Sequence, residues 1–368
     1  MAKQTGKMEG LVMLQQLSSF YKNKKVFITG HTGFKGTWLM AMLHQLGATV
    51  KGYALAPEDS KPFHDLFSSY DLCESIISDI RNKERLRSEI ISFQPDYVFH
   101  LAAQPLVLRS YEIPAETFEI NVAGTANLLE SVKELEKKCS IVVITTDKVY
   151  ENKEQNILYE ESDRLGGYDP YSASKACTEI VVESFRNSFF NTGKFESHRK
   201  AIASARAGNV IGGGDWSKNR IIPDTARALL TGEVVNVRNP DSVRPWQHVL
   251  EPLTGYLLLG GFLYDQPLLF SRAYNFGPYP EDHLTVKELV ELSIQLWGSG
   301  KFEINGPGNK LHEANLLQLD INRAINELKW IPKLKATEAI KWTIEWYKKD
   351  ISRQANFTFE QINNYLEK

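Results

Sequence analysis

The stretch Lys25-Val-Phe-Ile-Thr-Gly-His-Thr-Gly-Phe-Lys-Gly-Thr37 restricts the fold of this chain more than any other. Val26 to Ile28 is a short apolar run of β-branched and aromatic residues, which predicts a buried strand. Gly30, Gly33 and Gly36 follow at three-residue spacing, and Trp38 to Leu46 reads as a helix closed by Gly47. Strand, glycine turn and helix together present free helix N–H groups, and the positive end of the helix dipole, to a phosphate. In such a turn Gly30 permits the tight bend, Gly33 lets a pyrophosphate approach the backbone, and Gly36 lets the helix lie close to the sheet. The spacing is G-x-x-G-x-x-G, one residue off the commoner G-x-G-x-x-G, and in this setting it predicts dinucleotide binding. A phosphate-binding P-loop needs Gly before Lys; here Lys35 precedes Gly36, which removes that rival.

A chain of 368 residues can bury a substantial core, and it predicts one large α/β unit with a second lobe. A formal net charge of -2 gives no electrostatic case for nucleic acid or an anionic membrane as the main partner. No apolar run is long enough to cross a bilayer, and the N-terminus, with Lys3, Lys7 and Glu9, lacks the apolar region of a signal peptide. Cys73, Cys139 and Cys177 are far apart and odd in number, which suggests reduced thiols and a cytoplasmic protein. The eight histidines show no metal-binding spacing, so no metal is expected.

Taken in order, residues 1–24 read as a polar lead-in with one short helix and no function. Thr49 to Ala54 is the second strand. An NAD site often places an acidic residue at its end, on the ribose; this chain continues Leu55-Ala56-Pro57-Glu58, which leaves NAD against NADP open on that ground. Ile76 to Asp79 reads as a third strand, with a charged helix from Arg81 to Phe93, and Tyr97 to Leu101 as a fourth. That strand ends in Ala102-Ala103, residues small enough to let a cofactor lie flat, or simply to pack tightly. Residues 115–137 read as one long helix, Ile141 to Thr145 as a fifth strand and Ile202 to Arg206 as a sixth. This alternation predicts an α/β fold with a doubly wound parallel Rossmann sheet over 25–210 and sites at its carboxyl edge. Beyond Gly212-Gly213-Gly214 the alternation fails, and 211–368 reads as a smaller mixed α/β substrate lobe. Its Trp342, Trp346 and Tyr347 stripe is expected to pack on the core, and His100 to be a hydrogen-bonded core residue.

The fifth strand delivers Thr145-Thr146-Asp147-Lys148 to the edge that carries the glycine turn, and Tyr171-Ser-Ala-Ser-Lys175 follows. Positions i and i+4 share a helix face, so Tyr171 and Lys175 point the same way. The lysine can hold a cofactor ribose and lower the tyrosine's pKa, so that a tyrosinate takes a proton from a sugar hydroxyl while a nicotinamide takes hydride. With fifteen tyrosines such a pair should arise about once by chance. Tyr21 and Lys25 form a second match, discarded because it runs into the first strand. The Tyr171 pair draws its weight from following strand five and the Thr-Thr-Asp element. Thr146 and Asp147 also have a bland reading as turn caps.

The glycine turn, the Thr146 element and the Tyr171/Lys175 pair resemble the extended short-chain dehydrogenase/reductase family that acts on nucleotide sugars, from about residue 24 to 350. Gly30 to Trp38, Thr146-Asp-Lys-Val-Tyr150, Gly212-Gly-Gly-Asp-Trp216 and Arg244-Pro-Trp-Gln-His248 are similar to its dehydratase branch. Asp147 followed by Lys148, where dTDP-glucose relatives carry Asp-Glu, favours the members that take CDP-glucose. The resemblance implies a bound NAD. Its contacts would be Gly30, Thr32, Gly33, Phe34 and Gly36 in the turn, Asp79 and Ile80, then Leu101, Ala102 and Ala103, with Tyr171 and Lys175. It places Asn209, Arg220 and Arg244 near the substrate's diphosphate and nucleoside, with His312 and Glu313 closing over the ribose. Arginine suits phosphate because its planar fork grips two oxygens at once. For each of these arginines, surface ion pairing is the alternative. The family also implies a homodimer or homotetramer, in deoxysugar synthesis for surface polysaccharide.

The implied reaction has three steps. Tyr171 deprotonates the C4 hydroxyl, with Thr146 sharing the bond to that oxygen, as hydride leaves C4. The 4-ketone acidifies C5–H, so a base removes it while Asp147 protonates the departing C6 hydroxyl; hydride then returns to C6. Lys148 stands where the relatives have a base, and the expectation is that it acts neutral; the alternative is a cationic Lys148 that stabilises the enolate while another group takes the proton. An epimerase or reductase on this scaffold needs Tyr171 and Lys175 but no acid at Asp147. A non-catalytic NAD-sensing protein would be expected to have lost one of that pair.

Overall fold

The computed structural model describes residues 2–57, 63–153, 155, 157–306 and 317–368. Seven strands form one parallel sheet: β1 (Lys25–Thr29), β2 (Thr49–Ala54), β3 (Glu74–Ile77), β4 (Tyr97–His100), β5 (Cys139–Ile144), β6 (Lys200–Ala207) and β7 (Ala273–Phe276). Their order across the sheet is β7-β6-β5-β4-β1-β2-β3. The order reverses between β1 and β4, the place where open α/β sheets leave a crevice beyond their carboxyl ends. Strands covered on both faces should be apolar throughout. In β1, Phe27 enters the hydrophobic cluster on one face while Val26 and Ile28 enter the other.

Three sequence expectations need correction. The lead-in is a twenty-residue helix, α1 (Ala2–Tyr21), and not a short one. Its polar composition hides Leu17, Phe20 and Tyr21, which are buried, and Tyr21 Oη donates to the Leu257 carbonyl at 2.6 Å. Strand β3 begins and ends two residues before the predicted range. The helix predicted over 115–137 runs over Pro114–Phe118, one π turn at Glu119–Ala123, and Gly124–Lys133, so it ends four residues early.

Segments expected in the smaller lobe complete the sheet. Strand β7 pairs with β6 from Ala273–Ser204 to Phe276–Ala207. Leu250–Asp265, hydrophobic nearly all round, lies against β5 and β6 and buries Leu253, Tyr256, Leu257 and Leu259. Among the described residues the remaining strands form four short pairs: Val210–Ile211 with Gln247–His248, Val243–Arg244 with Leu284–Thr285, Val235–Val237 with Phe302–Ile304, and Leu158–Tyr159 with Gln318–Leu319. Trp346 and Tyr347 are buried as expected, and His100 bonds Thr29 Oγ1 at 2.6 Å and Thr125 Oγ1 at 2.9 Å. Among the described residues no helix is long and apolar enough to cross a membrane.

Candidate functional site

The glycine turn is closed to side chains. Gly30 has φ +79°, and a Cβ on it would meet the Ala102 nitrogen at 2.8 Å; a Cβ on Gly36 would lie 2.1 Å from the Gly30 carbonyl oxygen. The helix Phe34–Gln45 starts behind Gly33, and no side chain caps its first turn. Its free N–H groups open into a cavity of about 1620 Å³. Sites for a single small molecule occupy roughly 300–1,000 Å³, so this one is large enough for a dinucleotide and a second ligand together. A backbone cradle closed to a Cβ at Gly30 and Gly36 fits the pyrophosphate of a dinucleotide. The cavity is lined by Gly30, Thr32, Gly33, Phe34, Gly36, Asp79, Ile80, Leu101, Ala102, Ala103, Tyr171 and Lys175, every residue expected at the cofactor. Asp79 is held by Arg81 at 2.6 Å, and that guanidinium keeps its carboxyl below the usual range. Gly36→Ala should weaken NAD binding roughly five- to 150-fold, because overpacking a tight contact costs about 1–3 kcal/mol and about 1.4 kcal/mol is tenfold. Calorimetric titration with NAD reads this directly, and wild-type affinity would refute the cradle.

At the end of β5 the chain turns through Asp147–Val149, and Thr146 caps the turn by accepting from Lys148 N at 3.4 Å. The capping expectation holds for Thr146 alone, and its hydroxyl also donates to Asp147 Oδ1 at 2.8 Å. Lys148 Nζ lies 3.2 Å from that oxygen. Asp147 is buried, and Gly208 across the cavity leaves room for its carboxyl: a Cβ there would come within 3.0 Å of Oδ2.

Tyr171 and Lys175 lie in the first turns of the helix Pro170–Ser188. Asp169 caps it, accepting from Ser172 N at 2.9 Å and from Ser172 Oγ at 2.6 Å. The helix is fixed to β6 through a buried pair, Glu179 with Arg206 at 2.9 Å; Glu179 also accepts from Ser204 Oγ and Thr145 Oγ1. Burial pushes the Tyr171 phenol up to about 12, against a hydrogen bond from Thr146 and the charge of Arg220. Lys175 Nζ donates to the Ile144 carbonyl at 3.1 Å. Burial lowers Lys175 itself to about 8.

Asn209, Arg220 and Arg244 line the outer part of the cavity. Arg220, with its side chain 37% exposed, pairs with buried Asp215 at 3.1 Å. The Gly212–Trp216 loop is clamped from behind: Trp38 Nε1 donates to Gly213 O at 2.9 Å, and Tyr347 Oη to Asp215 O at 2.5 Å. Tyr150 and His248, parts of the quoted motifs, are buried away from the chemistry. Tyr150 joins Arg206 at 2.8 Å and Asn275 at 2.6 Å, and His248 packs between Trp38 and Trp342. His312 and Glu313 lie outside the described residues.

Two contributors escape the sequence reading. Asn121, in the π turn, donates to Ser174 Oγ at 2.8 Å and exchanges bonds with the Gln104 backbone, tying the tyrosine helix to the loop after β4. Lys35, noticed only for excluding a P-loop, extends into the cavity with Nζ 3.5 Å from Tyr256 Oη. Elsewhere, His31, His64 and Cys73 bring ligand-type atoms within 4.8 Å of one another. Burial drives His31 down to about 3 and the Cys73 thiol up to about 11, which leaves two neutral rings and a protonated thiol.

With this geometry in hand, residues 26–260 match the model of the NAD dependent epimerase/dehydratase family. The chain is 48% identical over 330 residues to a CDP-glucose 4,6-dehydratase of Salmonella typhimurium, covering 90% of this chain and 92% of that one. It is 24% identical to a dTDP-glucose 4,6-dehydratase of Shigella flexneri, covering 88% and 92%. Its fold is similar to that of dTDP-glucose 4,6-dehydratase from Streptomyces venezuelae, solved with NAD bound, at a TM-score of 0.76 and 21% identity over 88% of this chain and 97% of that one.

Proposed function

The chain belongs to the NAD dependent epimerase/dehydratase family, and within it we propose that the protein is a CDP-glucose 4,6-dehydratase, a lyase that converts CDP-D-glucose to CDP-4-dehydro-6-deoxy-D-glucose and water. The observation that carries the reading is the buried Asp147 carboxyl, bonded to Thr146 and Lys148 in the cavity that Tyr171 also lines. An epimerase of the family has no use for a proton donor there; a dehydratase requires one.

Bound NAD supplies a transient two-electron acceptor, so oxidation at C4 and reduction at C6 leave no net redox change. The residues do the rest. Tyr171 takes the proton of the C4 hydroxyl, and the Thr146 hydroxyl steadies the same oxygen. Burial pushes that phenol up to about 12, and an oxidised nicotinamide, when bound, would supply a positive charge that lowers it. Asp147 delivers a proton to the C6 oxygen as water departs, and Lys148, whose Nζ lies 3.2 Å from its carboxylate, takes the C5 proton. Arg220 and Arg244 grip the diphosphate; Asp215 holds Arg220 in place before the ligand arrives. Incubation with CDP-glucose, dTDP-glucose and GDP-mannose in parallel tests the assignment. The alkali-induced absorbance of a 4-keto sugar should develop with CDP-glucose; its appearance only with another nucleotide sugar would overturn the choice of substrate.

A further inference from the structure

His31, His64 and Cys73 take no part in the chemistry above and are not among the residues that line the large cavity. The fold brings them together behind the cofactor cradle. His31 stands between Gly30 and Thr32 in the glycine turn, His64 in the short turn Phe63–Phe67, and Cys73 immediately before β3. One ligand-type atom from each lies within 4.8 Å of the other two. Three separate segments supply them, so no local spacing in the sequence announces the group.

The ring of His31 is wholly buried and fixed in place. It lies on Gly52 of β2, where a Cβ would come within 2.3 Å of its Cγ, and its Nε2 faces Ser75 Oγ of β3 at 2.7 Å. The other nitrogen, Nδ1, is buried and makes no hydrogen bond. A polar atom buried without a partner destabilises a fold, and a bound ion would remove that cost. His64 meets His31 edge to face, with ring centres 5.2 Å apart, and its own Nδ1 lies 3.6 Å from Asp65 Oδ1. Each ring thus has a polar group beside one nitrogen. Metal-bound imidazoles are oriented in this way, with one nitrogen toward the ion and the other toward an outer partner.

We propose that His31, His64 and Cys73 bind one divalent cation of the zinc class, which pins the Phe63–Phe67 turn and the start of β3 to the back of the cofactor cradle. Imidazole nitrogens with a thiolate suit zinc, whereas calcium and magnesium take oxygen ligands. Zinc bonds of about 2.0–2.3 Å set tetrahedral ligand atoms roughly 3.3–3.6 Å apart, so an approach of about 1 Å from the present spread completes the site. His64 and Cys73 are only half-buried, which leaves them room to move and gives the ion a way in from solvent. As the ion binds, the Cys73 S–H bond breaks, its proton goes to solvent, and the sulfur lone pair forms the bond to the metal. A water completes the coordination. The ion supports the cradle indirectly, through His31 and through Phe63, which lines the cavity and packs on Trp38 with ring centres 5.9 Å apart. No step of the sugar chemistry passes through it, so the site stands whether or not the protein is a dehydratase.

Untagged, reduced protein freed of metals with a chelator is titrated with Co²⁺ alone and then with Zn²⁺. Cobalt should bind at one ion per chain, with a thiolate charge-transfer band in the near ultraviolet and the intense visible bands of a four-coordinate ion, and zinc should displace it. Cys73→Ala should lose the charge-transfer band. Cys73→Ala and His64→Ala, on separate segments, should each bind zinc at least about 100-fold more weakly, since loss of an outer partner alone costs about 10–100-fold. Ser75→Ala, which removes only the outer partner of His31, should bind zinc about tenfold more weakly. Zinc should raise the unfolding temperature of the wild type and leave that of the two ligand variants unchanged. A cobalt spectrum without the thiolate band, the spectrum of a six-coordinate ion, or wild-type zinc affinity in Cys73→Ala or His64→Ala would each overturn the site.

Discussion

Tyr171→Phe loses turnover by about 10³-fold or more while CDP-glucose still binds with nearly wild-type affinity. Positioned acid–base groups contribute about 10²–10⁴-fold, and this one acts in the first step, before any product can form. The phenol lies in a buried first helical turn fixed by Asp169 and by the Glu179–Arg206 pair, so removing one oxygen leaves the ring and its supports in place. No neighbour can substitute: Thr146 is not a base at neutral pH, and the Lys175 amine is turned to the Ile144 carbonyl. Stopped-flow turnover and equilibrium titration on the same preparation check both halves. Wild-type turnover, or a loss confined to binding, would remove Tyr171 from the chemistry.

Asp147→Asn is the second large effect, and it falls at a different step. The amide keeps the shape and can still accept from Thr146, but it has no proton to give to the C6 oxygen. Oxidation at C4 should survive, water loss should fall about 10²–10⁴-fold, and reduced cofactor should accumulate on the protein in a single turnover. Loss of C4 oxidation in equal measure would make Asp147 a structural residue of the Asp147–Val149 turn and nothing more.

The parts legible in the sequence are those whose meaning is local. Gly30, Gly33 and Gly36 announce a turn without side chains, and Tyr171 and Lys175 announce one helix face, because each pattern spans fewer than ten residues. What stayed hidden depends on distant partners. Lys35 reads as one residue of a glycine motif until Tyr256, 221 residues later, is seen to lie against it. Whether the Lys148 amine meets Asp147 depends on side-chain placement, and the two lie 3.2 Å apart. Strand β7 has the same composition whether it joins a small lobe or the main sheet, and only its pairing with β6 decides. Helix α1 reads as a polar lead-in because its buried residues, Leu17, Phe20 and Tyr21, crowd its last turn and face Leu250–Asp265 and Ile351–Leu366, elements far along the chain.

The central claim is an internal redox cycle around an elimination, and one isotope experiment addresses it. CDP-glucose carrying deuterium at C4 is converted in ordinary water with catalytic protein and no added cofactor beyond what the protein holds. The account predicts product with deuterium at C6 and no reduced cofactor free in solution. Deuterium released with free reduced cofactor, or retained at C4 of an epimer, would contradict it.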